Sequence, residues 1–223
     1  EPMEAEPPPA RGSTTDAAAV DAAAAALSCI TERIGSGGDA AKESISEMVS
    51  LTVANMSGVS SARALEETES NLTHRGMRIV AVREKPTGRG RAQKPGALVG
   101  FAAYRLNCIE GGTRTAFLYE LQLAEKARGA KPSLGKALLA EVEERASLSG
   151  SGRLQLSVAA LRAGAPNPAV GFYDGGCGYD KVAEYDDDGV AMLAYAKQCR
   201  PLEQQQQEQK EQEQQQQQAD ADL

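Results

Sequence analysis

The sequence predicts a mixed α/β domain with a mainly antiparallel central sheet flanked by helices. Three observations carry this. Apolar, β-rich runs recur at 77–82, 97–106 and 115–123, the last two joined through Gly111-Gly112, which reads as an antiparallel meander. The third run leads through a basic, Gly-containing loop into a helical pattern and then a short apolar strand at 154–158, a β-α-β unit. A closing hairpin follows, with strands at 179–185 and 190–197 around Asp186-Asp187-Asp188-Gly189.

The elements can be justified in chain order. Residues 1–16 are rich in Pro, Glu and Ser/Thr and include Pro7-Pro8-Pro9, so disorder is expected. The Ala-rich stretch 17–34 has high helix propensity and stops at the glycines of 35–38. A second helix starts near Ala40 and carries Ile45, Met48 and Val49, and a more polar third covers 60–71. Residues 85–96 form a basic Gly/Pro loop between the first two strands. Leu134, Leu138, Val142 and Arg145 lie at helical spacing, which predicts an amphipathic helix over 134–148, capped by Ser133 and ended by the break at 150–152. A short helix is expected over 168–174, with Pro168 tolerated in its first turn. From Glu203 onward the Gln/Glu repeats lack apolar heptad positions, so disorder or a lone solvated helix is expected. The organisation is therefore a low-complexity N-terminal region with an Ala-rich helix at 1–39, one domain at 40–200 and a Gln/Glu-rich tail at 201–223.

Composition narrows the function. Hydrophobic residues make up 41% of the 223 residues, aromatics only 4%, and Trp is absent, so the core is expected to be built mainly from Ala, Leu and Val. The net charge of −7 argues against direct nucleic-acid binding, and suits either a basic partner or simple solubility. The four cysteines are scattered with no CxxC, and His74 is the one histidine. A Cys/His metal site is therefore not expected, and a His-based triad could rest only on His74, which reads as a structural or surface residue. Reduced thiols point to the cytoplasm or nucleus. No apolar run reaches the length of a membrane span, and 17–27 is interrupted by Asp21 and lacks a basic start, unlike a signal peptide.

The central segment carries the chemistry. Glu120 sits mid-strand between Tyr119 and Leu121, and strict alternation puts Leu118, Glu120 and Gln122 on one face with Phe117, Tyr119 and Leu121 on the other. A buried carboxylate there needs a partner or a task, whereas on a solvated face it needs neither. The loop from Lys126 to Lys136 carries Arg128, Lys131 and Lys136 at a helix N-terminus, whose unpaired N–H groups and dipole suit a pyrophosphate. The alternative is a basic loop before an ordinary capped helix.

Tyr119-Glu120-Leu121-Gln122-Leu123 resembles the corresponding strand of the GNAT superfamily of acetyl-CoA-dependent N-acetyltransferases, and within it the NatD-type N-alpha-acetyltransferases of histone N-termini beginning Ser-Gly-Arg-Gly. Leu51-Thr52-Val53-Ala54-Asn55-Met56, the strand from Val99 to Leu106, Ser133-Leu134-Gly135-Lys136 and Leu156-Ser157-Val158 extend the likeness over about 45–197. The chain departs from that pattern in the loop, where Arg128 and Gly135 are further apart and Ser133 stands in place of the first Gly, and after Met56, where Ser57-Gly58-Val59-Ser60 replaces aromatics. The resemblance implies Glu120 as general base and Tyr173 as general acid. It implies that the backbone of Gln122, Leu123 and Ala124 holds pantetheine and that the loop (Arg128, Gly129, Ser133, Leu134, Gly135, Lys136) holds the pyrophosphate. Asn167 would lie near the CoA thiol and Tyr119 would line the peptide site. Acetyl-CoA is then the co-substrate, with no metal, and the partners are protein N-termini, histones first among them, with neither nucleic acid nor membrane. Asp186, Asp187 and Asp188 are expected to bind the Arg of a basic substrate N-terminus, the alternative being a solvated turn. Two further readings stay open: an acetyltransferase of lysine or a small amine, and a non-catalytic binding module on the same fold.

Overall fold

The computed structural model of the chain describes residues 27–30, 39–56, 62–85, 96–110, 112–129, 131, 133–162 and 164–199. Its elements are β1 (Leu27–Ile30), α1 (Asp39–Met56), α2 (Ala62–Thr73), β2 (Met77–Glu84), β3 (Leu98–Glu110) and β4 (Thr113–Leu123), then a 3₁₀ turn (Glu125–Ala127), α3 (Leu134–Leu148) and β5 (Arg153–Ala159). A two-strand ribbon follows, β6 (Leu161–Arg162) and β7 (Ala165–Pro166), then α4 (Pro168–Gly171), a π turn (Phe172–Gly176), β8 (Asp180–Asp187) and β9 (Val190–Gln198).

Among the described residues, seven strands form one sheet in the order β1-β2-β3-β4-β5-β9-β8. Only β4 and β5 run parallel, because α3 carries the chain back between them; the other neighbours are antiparallel. Alternation along the central strands feeds two cores. Val80, Val82, Ala102 and Tyr104 face α3, while Ile79, Ala81, Phe101 and Ala103 face α1 and α2.

The two long helices α1 and α3 each bury one stripe. In α3 the buried positions are Gly135, Leu138, Leu139, Val142 and Ala146, and in α1 they are Ile45, Met48, Thr52 and Asn55. Burying one large apolar side chain from such a stripe contributes about 1.5–3 kcal/mol. Glu143, on α3, ties that helix to the β8–β9 edge of the sheet. Its carboxylate accepts from the Tyr179 hydroxyl at 2.9 Å and from Lys197 Nζ at 2.8 Å. Glu143→Ala leaves the buried Tyr179 hydroxyl without that acceptor, and a cost of about 1–3 kcal/mol is expected from the urea midpoint. An unchanged midpoint would show that the tie contributes nothing.

The element order matches the sequence reading, with two corrections. The helix expected over 17–34 meets a strand instead: Leu27 lies opposite Glu84 and Ile30 opposite Ala81 along the edge of β2. Ladder bonds to that edge outweigh helix propensity, which is worth only tenths of a kcal/mol per residue. The rest of that stretch, residues 1–16 and the Gln/Glu-rich tail lie outside the described residues, as does most of the 85–96 loop. The short helix expected over 168–174 is α-helical only to Gly171 and then widens into the π turn.

Candidate active site

The site is made by an irregularity on one side of β4 and an opening on the other. Against β3, Ala103 lies opposite Glu120 but the next β3 residue, Tyr104, lies opposite Leu118, so Tyr119 is an extra, bulged residue. Strict alternation fails here, which corrects the faces expected from the sequence. Leu118 lies on the α3 side with Leu121 and Leu123. Tyr119 packs on the α1/α2 side, where Glu120 and Gln122 reach partners on α2 and α1. Against β5, pairing stops at Leu118–Leu156, so the last turns of both strands splay apart. Ala124 gives its N–H to Val99 O at 2.8 Å. By alternation Leu123 therefore turns its N–H away from β3 and toward the splay.

Glu120 is half-buried and hydrogen-bonded from two directions. Gln122 Nε2 donates to Oε2 at 2.8 Å and Thr68 Oγ1 to Oε1 at 3.4 Å. Burial pushes its carboxyl above the usual carboxylate range, and the bonds from Gln122 and then Thr68 pull it back. Behind Gln122 stands Asn55, at the end of α1. Its Nδ2 donates to Gln122 Oε1 at 2.9 Å and to Leu123 O at 3.0 Å, its Oδ1 accepts from Arg128, and its backbone carbonyl accepts from Arg162. Tyr119 stacks against Phe117 with centroids 4.9 Å apart, and its hydroxyl accepts from Arg105 at 3.4 Å.

On the α3 side, Ser133 caps the helix by accepting from Lys136 N at 3.4 Å. Gly129 has φ +73°, a left-handed turn that glycine adopts at little cost. Gly135 is buried, and a Cβ there would lie 3.3 Å from the Phe172 ring and 3.5 Å from Leu123 Cδ1, so the helix start packs closely against both side chains. Lys131 and Lys136 are exposed beside it.

Tyr173 is buried within rings of Phe172, Tyr179 and Tyr195, at centroid distances of 5.1, 5.9 and 6.3 Å. Burial, then the charges of Cys177 and Glu120, push its hydroxyl far up, so it holds its proton at any working pH. Asn167 caps α4: its Oδ1 accepts from Ala169 N at 3.0 Å and its Nδ2 donates to Ala159 O at 2.9 Å, tying the end of β5 to the turn that carries Tyr173. Asp186 accepts from Gly189 N at 2.8 Å, and Asp188 and Gly189 both have positive φ, so this is a tight hairpin turn. The register of Ala159 with Met192, and of Asp187 with Val190, puts that turn at the same end of the sheet as the splay. His74 is exposed and accepts from Gly76 N at 3.0 Å. Among the described residues, no group of His, Cys, Asp and Glu could hold a metal ion, and no helix is long and apolar enough to cross a membrane.

Three participants escaped the sequence reading: the roles of Asn55, Thr68 and Arg162. Asn55 stood inside a quoted motif, but its partners are on other elements.

No protein-family model and no curated protein matches the chain. Solved structures do. A protein assigned to the GNAT family of acetyltransferases from Desulfovibrio desulfuricans superposes with a TM-score of 0.57 at 20% identity, over 78% of this chain and all of that one (100%). NAA60 of Arabidopsis thaliana, solved with acetyl-CoA, gives 0.54 at 14% identity over 77% and 98%. An aminoglycoside 6'-acetyltransferase gives 0.52 at 17% over 78% and 97%. The fold of this chain is thus that of the GNAT acetyltransferases.

Proposed function

We propose that this protein transfers acetyl from acetyl-CoA to the free α-amine of a protein N-terminus, with histone N-termini beginning Ser-Gly-Arg-Gly as its substrates in the cytoplasm and nucleus. The observation that carries the reading is Glu120. A carboxylate lies at a bulge beside the strand splay, held by Gln122 and Thr68, with burial raising its proton affinity toward that of an amine.

The residues present fit acetyl-CoA. The splayed end of β4 leaves Leu123 N–H without a strand partner on that side, and Gly135 lets the first turn of α3 pack close to Leu123 and Phe172. The first turn of α3, with Lys131 and Lys136 beside it, suits a pyrophosphate. When bound, acetyl-CoA supplies an acetyl group activated as a thioester. Near neutrality an α-amine, of pKa about 7.7–8.0, is mostly ammonium and cannot attack. Glu120 takes the proton, directly or through one water. Leu123 N–H donates to the oxygen on which charge develops. Tyr173, protonated at rest, would give its hydroxyl proton to the sulfur as the thioester C–S bond breaks, and would take one back from solvent afterwards. No covalent bond to the protein is needed.

Mass spectrometry tests the reaction. With acetyl-CoA, a Ser-Gly-Arg-Gly-Lys peptide should gain one acetyl at its free N-terminus, and the same peptide blocked there should gain none. Acetylation of both at lysine would sink the N-terminal assignment. Reversing the charges of Asp186, Asp187 and Asp188 should raise the peptide KM at least about tenfold, the size of one lost charge-assisted contact of about 1.5–3 kcal/mol. An unchanged KM would leave the hairpin a solvated turn.

One observation favours a second reading, a small-amine acceptor: aminoglycoside 6'-acetyltransferases share this fold with comparable TM-scores of 0.52. Competition between the peptide and an aminoglycoside separates the two.

A further inference from the structure

Arg128, Asn55, Gln122 and Glu120 form a head-to-tail chain in which each amide has one possible orientation. Asn55 lies between a guanidinium, which only donates, and the Leu123 carbonyl, which only accepts. Its Oδ1 must face Arg128 and its Nδ2 must face Leu123 O. The same Nδ2 reaches Gln122 Oε1 at 2.9 Å, which commits the Gln122 oxygen to α1. Only Nε2 is left for Glu120, at 2.8 Å.

This orientation has a chemical consequence. A glutamine free to turn over would serve a carboxyl in either protonation state, donating to the ionised form or accepting from the protonated one. It would then shift the balance between them little. The other groups facing Glu120 have the same indifference. Thr68 Oγ1 on α2 can rotate to donate or accept, Ala103 opposite on β3 is apolar, and Tyr173, which senses Glu120 only through space, keeps its proton and adds no charge. The hydrogen bonds of Asn55 lead to Glu120 through Gln122.

We infer that Asn55 is a positioning residue: it locks the Gln122 amide with its nitrogen toward Glu120, so that Gln122 stabilises the ionised carboxylate and not the protonated one. The lock counters desolvation and keeps a half-buried glutamate available as a proton acceptor. Its catalytic meaning rests on the reading of Glu120 as base, whereas its effect on Glu120 protonation does not.

The test follows the Glu120 side-chain carboxyl by ¹³C NMR across pH in the full 223-residue chain, the resonance being assigned by its loss in Glu120→Gln. In Asn55→Leu the midpoint should rise by about one pH unit, a tenfold gain in proton affinity. Gln122→Leu should rise at least as far, and the double variant no further than Gln122→Leu alone, because both remove one relay. A midpoint in Asn55→Leu within about 0.2 unit of wild type, or shifts that add in the double variant, would overturn the inference. Should leucine prevent folding, Asn55→Asp keeps the size and the Arg128 contact but cannot donate to Gln122. Its shift must be larger beside Gln122 than in the Gln122→Leu background, where only charge through space acts; equal shifts overturn the inference. Turnover of Glu120→Gln is scored apart. If that variant remains active, the base assignment fails while the NMR result stands on its own.

Discussion

Replacing Glu120 with Gln lowers turnover by about 10²–10⁴-fold, the contribution of one positioned general base, while acetyl-CoA still binds. Gln has nearly the shape of Glu and disturbs neither the bulge at Tyr119 nor the splay between β4 and β5. What it removes is the negative charge that Gln122 and Thr68 both donate to. Substrate binding should be spared, because the groups suited to the co-substrate are the Leu123 backbone and the loop at the start of α3. Turnover within about threefold of wild type, with binding intact, would remove Glu120 from the chemistry, since a lost base costs far more.

The same variant makes a stability prediction with a definite sign. Burial raises the Glu120 carboxyl in the folded protein above its value in the unfolded chain. Between those two values the folded state binds more protons than the unfolded one, so stability falls as pH rises. The contribution is fully present below the ordinary carboxylate range and is lost as pH rises through the folded value. Gln at 120 has no such loss. Glu120→Gln should therefore gain stability relative to wild type as pH goes from acid to neutral, read from urea midpoints along the pH series. A constant difference would mean that Glu120 is not shifted. Activity has the complementary dependence: the acid limb of kcat/KM should lie above that of an exposed carboxylate, because only the ionised base works.

Local signals made the fold legible, and distant pairings hid the rest. For α3, the apolar spacing of Leu134, Leu138 and Val142, the Ser133 cap and the break at Gly150 all agreed, and the helix runs from Leu134 to Leu148 as expected. In β1, an Ala-rich local signal was overruled by the open edge of β2, which no nearby residue announces. The bulge at Tyr119 has no mark in the sequence, because it is set by pairing with β3. Glu120 and Gln122 were legible as a carboxylate and an amide two residues apart. Their supports were not, because Asn55, Thr68 and Arg162 act across 67, 52 and 107 residues. A site supported across such separations shows its carboxylate and amide in the sequence and hides what orients them.

Gly100→Ala is the second large effect, and it probes the backbone of the site. Gly100 is buried on β3 opposite Leu123. A Cβ there would lie 2.6 Å from Leu123 Cδ2 and 2.9 Å from Gln122 O. The leucine methyl can turn aside, but the Gln122 carbonyl is backbone and can yield only if β4 moves off β3. Overpacking of this kind costs about 1–3 kcal/mol. The strand that must move carries Gln122 and Leu123, so the damage should reach the chemistry as well as the fold. A shift of about 1 Å in such a positioning strand is enough for a loss near 10²-fold in kcat. Gly171→Ala serves as the control: nothing lies within 4 Å of its Cβ and its φ is −65°, so the change should be neutral or stabilise by up to about 1 kcal/mol. If Gly100→Ala instead behaves like the control, in both melting and turnover, then β3 and β4 do not meet as tightly at Gln122 as this geometry requires. The positioning of Leu123 N–H toward the splay would lose its support with it.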